Sequence, residues 1–224
     1  MIKFITAFAT LLLLSTLAFA QTNPTIKSGP DRAGDPYLSS PALQEFVAGF
    51  PETNVGFLHV YADPSVDPLE TYLMRGEEAS NTLKALLPVK FQSMAETMNA
   101  TLYGAAAIRG DNENMFILRM DGRNSDRLEL FAIRNNKVIH MKTLAYRICD
   151  SAKCEQLDSY ITDIDGDTKL DLVQISRTMR GNEVTAENKS AYVLTDPDRM
   201  WEETNQLDVP WASIEFYDPK TDNK

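Results

Sequence analysis

Short apolar segments alternate with compact polar turns through most of this chain, and this pattern constrains the fold more than any other feature. Turns such as Asp121-Gly122, Asn135-Asn136 and Asp165-Gly166 are typical of connections between antiparallel neighbours. No long helical crossovers separate the segments, which argues against a parallel βαβ fold. We therefore predict a mostly β, antiparallel protein with strands at residues 56–62, 71–75, 102–109, 115–120, 127–134, 137–147, 159–162, 170–177, 191–195 and 212–217.

Two short helices are predicted near the N-terminus. Ser40 is placed to cap a helix that has Pro41 in its first turn, and Gly49 and Pro51 follow its last apolar residues. The second helix, at about 77–87, keeps apolar residues at helical spacing until Pro88. The first helix is expected to lie against the sheet.

The order of the strands suggests an internal repeat. A unit at about 102–147 is followed by a similar unit at about 158–205, and an offset of about fifty residues is the size of a four-stranded propeller blade. Two units and a fraction are too few for a closed ring. We predict blade-like repeats in a single domain over 41–224, arranged as a partial propeller or an open sandwich, or completed by assembly of several copies.

The first residues predict export. Residues 1–20 have a basic start, an apolar stretch and a final Ala18-Phe19-Ala20, as in a signal peptide cleaved after Ala20. The alternative, a membrane anchor, is disfavoured because the apolar run is short for a bilayer of about 30 Å. Residues 21–40 read as a flexible lead-in without periodicity. The mature protein is expected in the periplasm or outside the cell, without an integral membrane segment.

Charge and composition limit the partners and the chemistry. The net charge of −10 disfavours nucleic acid as a partner. Two cysteines and two histidines leave little material for a zinc or haem centre. In an exported protein, Cys149 and Cys154 predict a local disulfide that fixes one turn. A redox-active pair is a weaker alternative because the spacing is wider than C-x-x-C.

One segment carries metal-binding chemistry. Residues 163–171 read DIDGDTKLD and place carboxylates at loop positions one, three, five and nine. Calcium binds six to eight oxygen ligands, and alternate residues of a tight turn can direct side chains toward one ion. An EF-hand is excluded because Thr168 stands where it needs glycine and Gln174 where it needs glutamate. The alternative is an ordinary acidic surface turn, in which the carboxylates would repel one another.

Residues 163–173 resemble the D-x-[DN]-G-D-G-x-x-D-L-V hairpin of FG-GAP or VCBS-type repeats, which form calcium-binding blades of integrin-like β-propellers. The resemblance implies that the side chains of Asp163, Asp165, Asp167 and Asp171, with the backbone carbonyl of Lys169, bind calcium. It also implies a structural ion in a protein that binds an unidentified protein or glycan. Thr168, where the family has glycine, is a departure from this pattern.

An enzymatic alternative stays open. Glu77, Glu78, Glu129, Asp196 and Asp198 are candidates for the paired carboxylates of a secreted polysaccharide hydrolase. The sequence has no G-x-S-x-G, glycine-rich phosphate loop or H-E-x-x-H.

Histidine and tryptophan give no further support for catalysis. His59 and His140 are expected to be packed strand residues rather than catalysts. Trp201 and Trp211 fit a ligand surface and core packing equally well. No catalytic residue is therefore assigned from the sequence.

Overall fold

A computed structural model describes residues 40–53, 56–62, 76–109, 114–150, 152–167, 169–181, 183–193 and 201–204. Within these ranges the helices are α1 (Pro41–Ala48), α2 (Asn81–Leu86) and α3 (Val89–Met98). The strands are β1 (Glu52–Thr53), β2 (Phe57–Val60), β3 (Glu77–Glu78), β4 (Thr101–Arg109), β5 (Asn114–Asp121), β6 (Ser125–Arg134), β7 (Lys137–Asp150), β8 (Lys153–Thr162), β9 (Asp171–Arg180), β10 (Glu183–Val193) and β11 (Glu202–Thr204).

Several sequence predictions lie outside these residues. They are the signal peptide at 1–20, all but the last residue of the lead-in at 21–40, and the strands at 71–75 and 212–217. In the part of the chain that the structure describes, no helix is long and apolar enough to cross a membrane.

The strands form one mixed sheet in the order β1-β4-β5-β6-β7-β8-β9-β10-β11. From β4 to β11 each strand is antiparallel to the next, whereas β1 pairs with β4 in parallel. Strand β3 also pairs with β4, and β2 pairs with the end of β8. The predicted mostly β class with a few short N-terminal helices is therefore confirmed. The described strands of the two predicted units lie in one continuous sheet and do not separate into blades, since β7 is hydrogen-bonded to β8.

Local capping explains α1 and α2. The Ser40 hydroxyl accepts a hydrogen bond from the Leu43 amide at 3.4 Å, and Pro41 begins α1 as predicted. Ser80 caps α2 in the same way, at 3.1 Å from the Leu83 amide. The predicted helix at 77–87 therefore starts later, because its first residues pair with β4 as strand β3.

Helix α3 was not predicted from the sequence. It begins directly after Pro88 and buries Phe91 and Ala95, which are one turn apart. Asn99, in a left-handed conformation with φ +48°, ends it. Only two of its residues are buried, so the apolar periodicity is weak in the sequence.

Hydrophobic clusters cover both faces of strands β4–β6. One face packs against the helices through a cluster that includes Phe46, Phe91, Phe116, Leu118 and Phe131. Side chains on the other face join a second cluster with residues of β2, β8 and β9, among them Leu58, Val60, Ile161 and Leu172. Since this second cluster contains residues of β4–β6 as well as of β8 and β9, its side chains join the two halves of the sheet.

The two halves of the sheet are joined where β8 changes partner. Residues 153–157 of β8 pair with β7, and residues 159–162 pair with β2. Strand β9 pairs with β8 along its whole length. Strand β8 therefore belongs to both halves of the molecule, and its C-terminal end leads into the acidic segment.

Candidate metal centre

The acidic segment connects β8 to β9. Thr162 at the end of β8 pairs with Asp171 at the start of β9, so residues 163–170 form the connection. The flanking residues Ile161 and Leu172 are fully buried in the cluster between the two halves of the sheet. The buried flanking residues therefore hold the two ends of this loop in place.

Three of the predicted ligands lie together. Carboxylate oxygens of Asp163, Asp165 and Asp171 all lie within 4.8 Å of one another. Oxygens that bind one calcium ion at about 2.3–2.6 Å must lie within about 5 Å of each other, so this spacing fits a shared ion. Asp163 and Asp165 are exposed, whereas Asp171 is buried. Solvent and ions can therefore reach the group from the side of Asp163 and Asp165, while Asp171 anchors it to the buried start of β9.

Hydrogen bonds from the loop backbone orient these carboxylates. Asp163 accepts from the Gly166 amide at 2.7 Å, and Asp165 accepts from the Asp167 amide at 3.1 Å. Asp171 accepts from the Ile164 amide at 3.0 Å. Gly166 has φ +82°, which favours glycine, as the sequence predicted for the turn. The loop therefore holds its acids in place with bonds of its own.

Asp167 has a different partner. Its carboxylate accepts hydrogen bonds from the Lys169 amide at 2.8 Å and from the Lys169 ammonium at 2.5 Å. The side-chain bond from Lys169, followed by the backbone bond, lowers the pKa of Asp167, and the same pair raises the pKa of Lys169. Asp167 is not in the group formed by the other three acids. Thr168, the departure from the family pattern, lies outside the described residues.

Two buried side chains support the loop from within. The Trp201 indole Nε1 donates a hydrogen bond to the Leu170 carbonyl at 2.7 Å, and the ring belongs to the cluster between the halves of the sheet. Ile164 is buried in a third cluster with Tyr160 and Val173. No sequence pattern predicted that Trp201, far along the chain, contacts this loop.

The disulfide prediction is confirmed. Cys149 and Cys154 are bonded and stand directly opposite each other in the β7–β8 pair. The bond therefore staples the hairpin at the end of β8 that lies opposite the acidic loop. Both sulfurs are engaged in it, and the metal-ligand group found among the described residues contains only aspartates.

Each histidine lies beside a buried carboxylate. His59 Nε2 is 3.5 Å from Asp158 Oδ2, and its ring stacks on Tyr160 with centroids 4.2 Å apart. His140 Nε2 is 2.9 Å from Glu129 Oε2, and its ring packs against Phe91. Both are packed strand residues, as expected.

Three of the acids proposed for hydrolysis lie in the described part of the chain, Glu77 and Glu78 on β3 and Glu129 on β6. Glu129 is fully buried and accepts hydrogen bonds from Arg127 and Thr143 in addition to its contact with His140. Glu78 is exposed on β3 and pairs with Lys84 at 3.2 Å. Asp196 and Asp198 lie outside the described residues. The hydrolase hypothesis therefore stays a prediction.

The chain matches no protein-family model, no curated protein and no solved structure. Among the described parts of the chain, the acidic loop has the most specific chemistry.

Proposed function

We propose that this protein is an exported calcium-binding β module in which the β8–β9 loop holds a structural calcium ion. The observation that carries this proposal is the grouping of Asp163, Asp165 and Asp171 oxygens within 4.8 Å. Asp167 and the backbone carbonyl of Lys169 complete the ligand set that the family resemblance implies.

The chemistry of the donors favours calcium over other cations. Every donor is oxygen, which suits hard cations and disfavours zinc or copper. Magnesium requires near-ideal octahedral geometry at about 2.0–2.1 Å and usually keeps several waters. A loop with exposed acids on a buried strand end supplies the larger and more variable coordination shell of calcium.

Lys169 influences how strongly the ion binds. Its ammonium neutralises Asp167 in the metal-free loop, so Asp167 must leave this partner before it can coordinate calcium. The pair is exposed to solvent, so water screens it and breaking it costs little. We therefore expect an affinity in the range of extracellular modules, about 10⁻⁴ to 10⁻³ M.

The ion would act on stability. It would relieve repulsion among neighbouring carboxylates and join the end of β8 to the start of β9. The export signal at residues 1–20 and the Cys149–Cys154 disulfide support a periplasmic or secreted location, where calcium is available. In this proposal the rigid sheet serves to bind a protein or glycan.

Thermal melting of chelator-treated protein with added calcium tests the metal site. With a dissociation constant of about 1 mM, about 10 mM calcium should stabilise the fold by about 1.4 kcal/mol. The melting temperature should rise by roughly 3 to 5 °C. Absence of any rise would refute the proposal.

Matched variants localise the effect. Asp163→Asn and Asp171→Asn keep the shape of the side chain and remove its charge, so both should abolish the rise. Asp126→Asn, at the β5–β6 hairpin, should retain it because this acid lies in a different hairpin. Equal loss in all three variants would show that the rise does not come from the acidic loop.

Terbium luminescence gives a second, local readout. Trp201 is bonded to the Leu170 carbonyl beside the loop, so its excitation should sensitise the emission of terbium bound in place of calcium. Trp201→Phe should remove most of this emission while calcium still raises the melting temperature. Unchanged tryptophan-excited emission from Trp201→Phe would mean that Trp201 does not lie beside the bound terbium, contrary to the proposed site.

A further inference from the structure

Among the described residues, β10 has no partner strand on its outer edge along most of its length. Residues 183–192 pair with β9 on the inner side. On the outer side, of the strands that the structure describes, only β11 pairs with β10, and it does so at residues 191–193. The side chains described from Glu183 to Asn188 are exposed. An edge of this kind offers its backbone groups to another strand.

Two features limit the stretch that can accept a regular partner. An irregularity in the pairing with β9 falls between Val184 and Ala186. Strand β11 occupies the edge from Ala191 onward. In the part of the chain that the structure describes, the regular stretch of this edge without a partner strand is therefore 186–190, five residues with Asn188 at the centre.

The charges of this stretch are complementary to a second copy of itself. In an antiparallel pair related by a twofold axis at Asn188, Glu187 stands opposite Lys189 of the second copy, and Lys189 stands opposite its Glu187. Ala186 stands opposite Ser190, and no like charges face each other. Opposite charges in directly opposed positions stabilise an antiparallel pair, and like charges destabilise it.

The structure already orients one member of each pair. Glu187 accepts a hydrogen bond from Arg177 Nε at 2.8 Å, and Lys189 Nζ lies 3.7 Å from the other oxygen of Glu187. Both side chains lie on the sheet face that also carries Arg177, because Glu187 pairs with Arg177 across β9 and β10 and Lys189 is two residues further along. Bringing a second copy to this edge thus places four charges on one face of the joined sheet, each directly opposite a charge of the other sign.

We propose that β10 is a homodimerisation edge, at which two copies pair antiparallel through residues 186–190 about a twofold axis at Asn188. The dimer joins the sheets of the two copies into one continuous sheet. Such an isologous contact closes at two copies and does not propagate into a fibre. The contact is short, so association belongs to the weak and reversible class. This inference is independent of the calcium site.

Sedimentation velocity from about 10 µM to about 1 mM protein tests the dimer, with and without chelator. We expect concentration-dependent dimers in both conditions. Lys189→Glu should raise the dimer dissociation constant roughly tenfold or more, because both symmetry-related pairs become repulsive. Monomers throughout this range, or dimers unaffected by Lys189→Glu, would overturn the proposal.

Complementary variants distinguish pairing from misfolding. Glu187→Lys alone should also dissociate the dimer, but a mixture of Glu187→Lys and Lys189→Glu chains should form heterodimers, since both cross-strand pairs then attract. Failure of this mixture to associate, with each variant folded by circular dichroism, would contradict the proposed register.

The β8 strand supplies a matched control. Lys153 pairs with Glu155 at 2.7 Å on the same sheet, but β8 has β7 and β9 on its two sides at this position. Lys153→Glu makes the same charge change away from the edge and should leave the dimer intact. Dissociation by Lys153→Glu as well would attribute the effect to net charge and overturn the specific edge contact.

Discussion

Strands β5 and β10 belong to one sheet but have opposite environments. All six interior residues of β5 are buried, and its apolar side chains belong to two clusters, one shared with the helices and one shared with residues of β2, β8 and β9. Strand β10 is exposed over its first half. One half of the sheet therefore maintains the fold. The other half carries the acidic loop and, at β10, an edge that the described strands leave largely unpaired.

The largest expected effect is loss of a side chain on the helix side of β5. Phe116 is almost fully buried, and its ring lies 5.4 Å from Phe46 and 5.3 Å from Phe50. Phe116→Ala should lower the free energy of unfolding by about 3–5 kcal/mol, measured by urea denaturation. A loss under about 1 kcal/mol would show that this half is not the stable one.

Breaking the disulfide should have a smaller effect. The ring closed by Cys149 and Cys154 is short, so loop-closure entropy gives about 2 kcal/mol. The double variant Cys149→Ser with Cys154→Ser should therefore remain folded but unfold at lower urea. If the double variant failed to fold, the second half of the sheet would depend on the disulfide for its folding, contrary to this prediction.

Removing the charge of Lys169 should increase the affinity of the loop for calcium. Lys169→Gln releases Asp167 from its ammonium partner and removes a positive charge from the loop. Calcium affinity should rise about threefold to fivefold, corresponding to the worth of an exposed pair. Isothermal titration calorimetry measures this change, and unchanged or weaker binding would mean that Asp167 does not contribute to the site.

The smallest effect is expected at the start of β10. Val184 is 47 % exposed, so Val184→Thr keeps the branched shape and changes little buried surface. Its free energy of unfolding should stay within about 0.5 kcal/mol of the parent. Urea denaturation of Val184→Thr and Phe116→Ala under the same conditions compares the two strands directly. A fall of several kcal/mol in the free energy of unfolding of Val184→Thr would contradict the contrast between β5 and β10.

The parts of the fold that the sequence predicted are those where local chemistry decides the structure. Ser40 with Pro41 defined the start of α1, and Asn135-Asn136 marked a hairpin whose two residues have φ +51° and +58°. The first parts of β8 and β10 were missed because their residues are largely polar and pair through the backbone. Their strand character comes from neighbouring strands, which lie far away in sequence.

The candidate site divides in the same way. Spacing within 163–171 was enough to bring Asp163, Asp165 and Asp171 together, because a single tight turn determines it. The contact between Asp167 and Lys169 depends on side-chain rotamers, which spacing does not specify. The support of Leu170 by Trp201 is a long-range contact that only the folded sheet creates.

Strand β8 carries a disulfide near one end, the acidic loop at the other, and hydrogen-bonded neighbours on both sides. Under a pulling force, a strand enclosed in this way must break many of its bonds together in shear, whereas β10 and β11 can peel from the rim one bond at a time. When a single molecule is extended mechanically, β10 and β11 should therefore detach first. The segment of β8 between the disulfide and the acidic loop should unfold last.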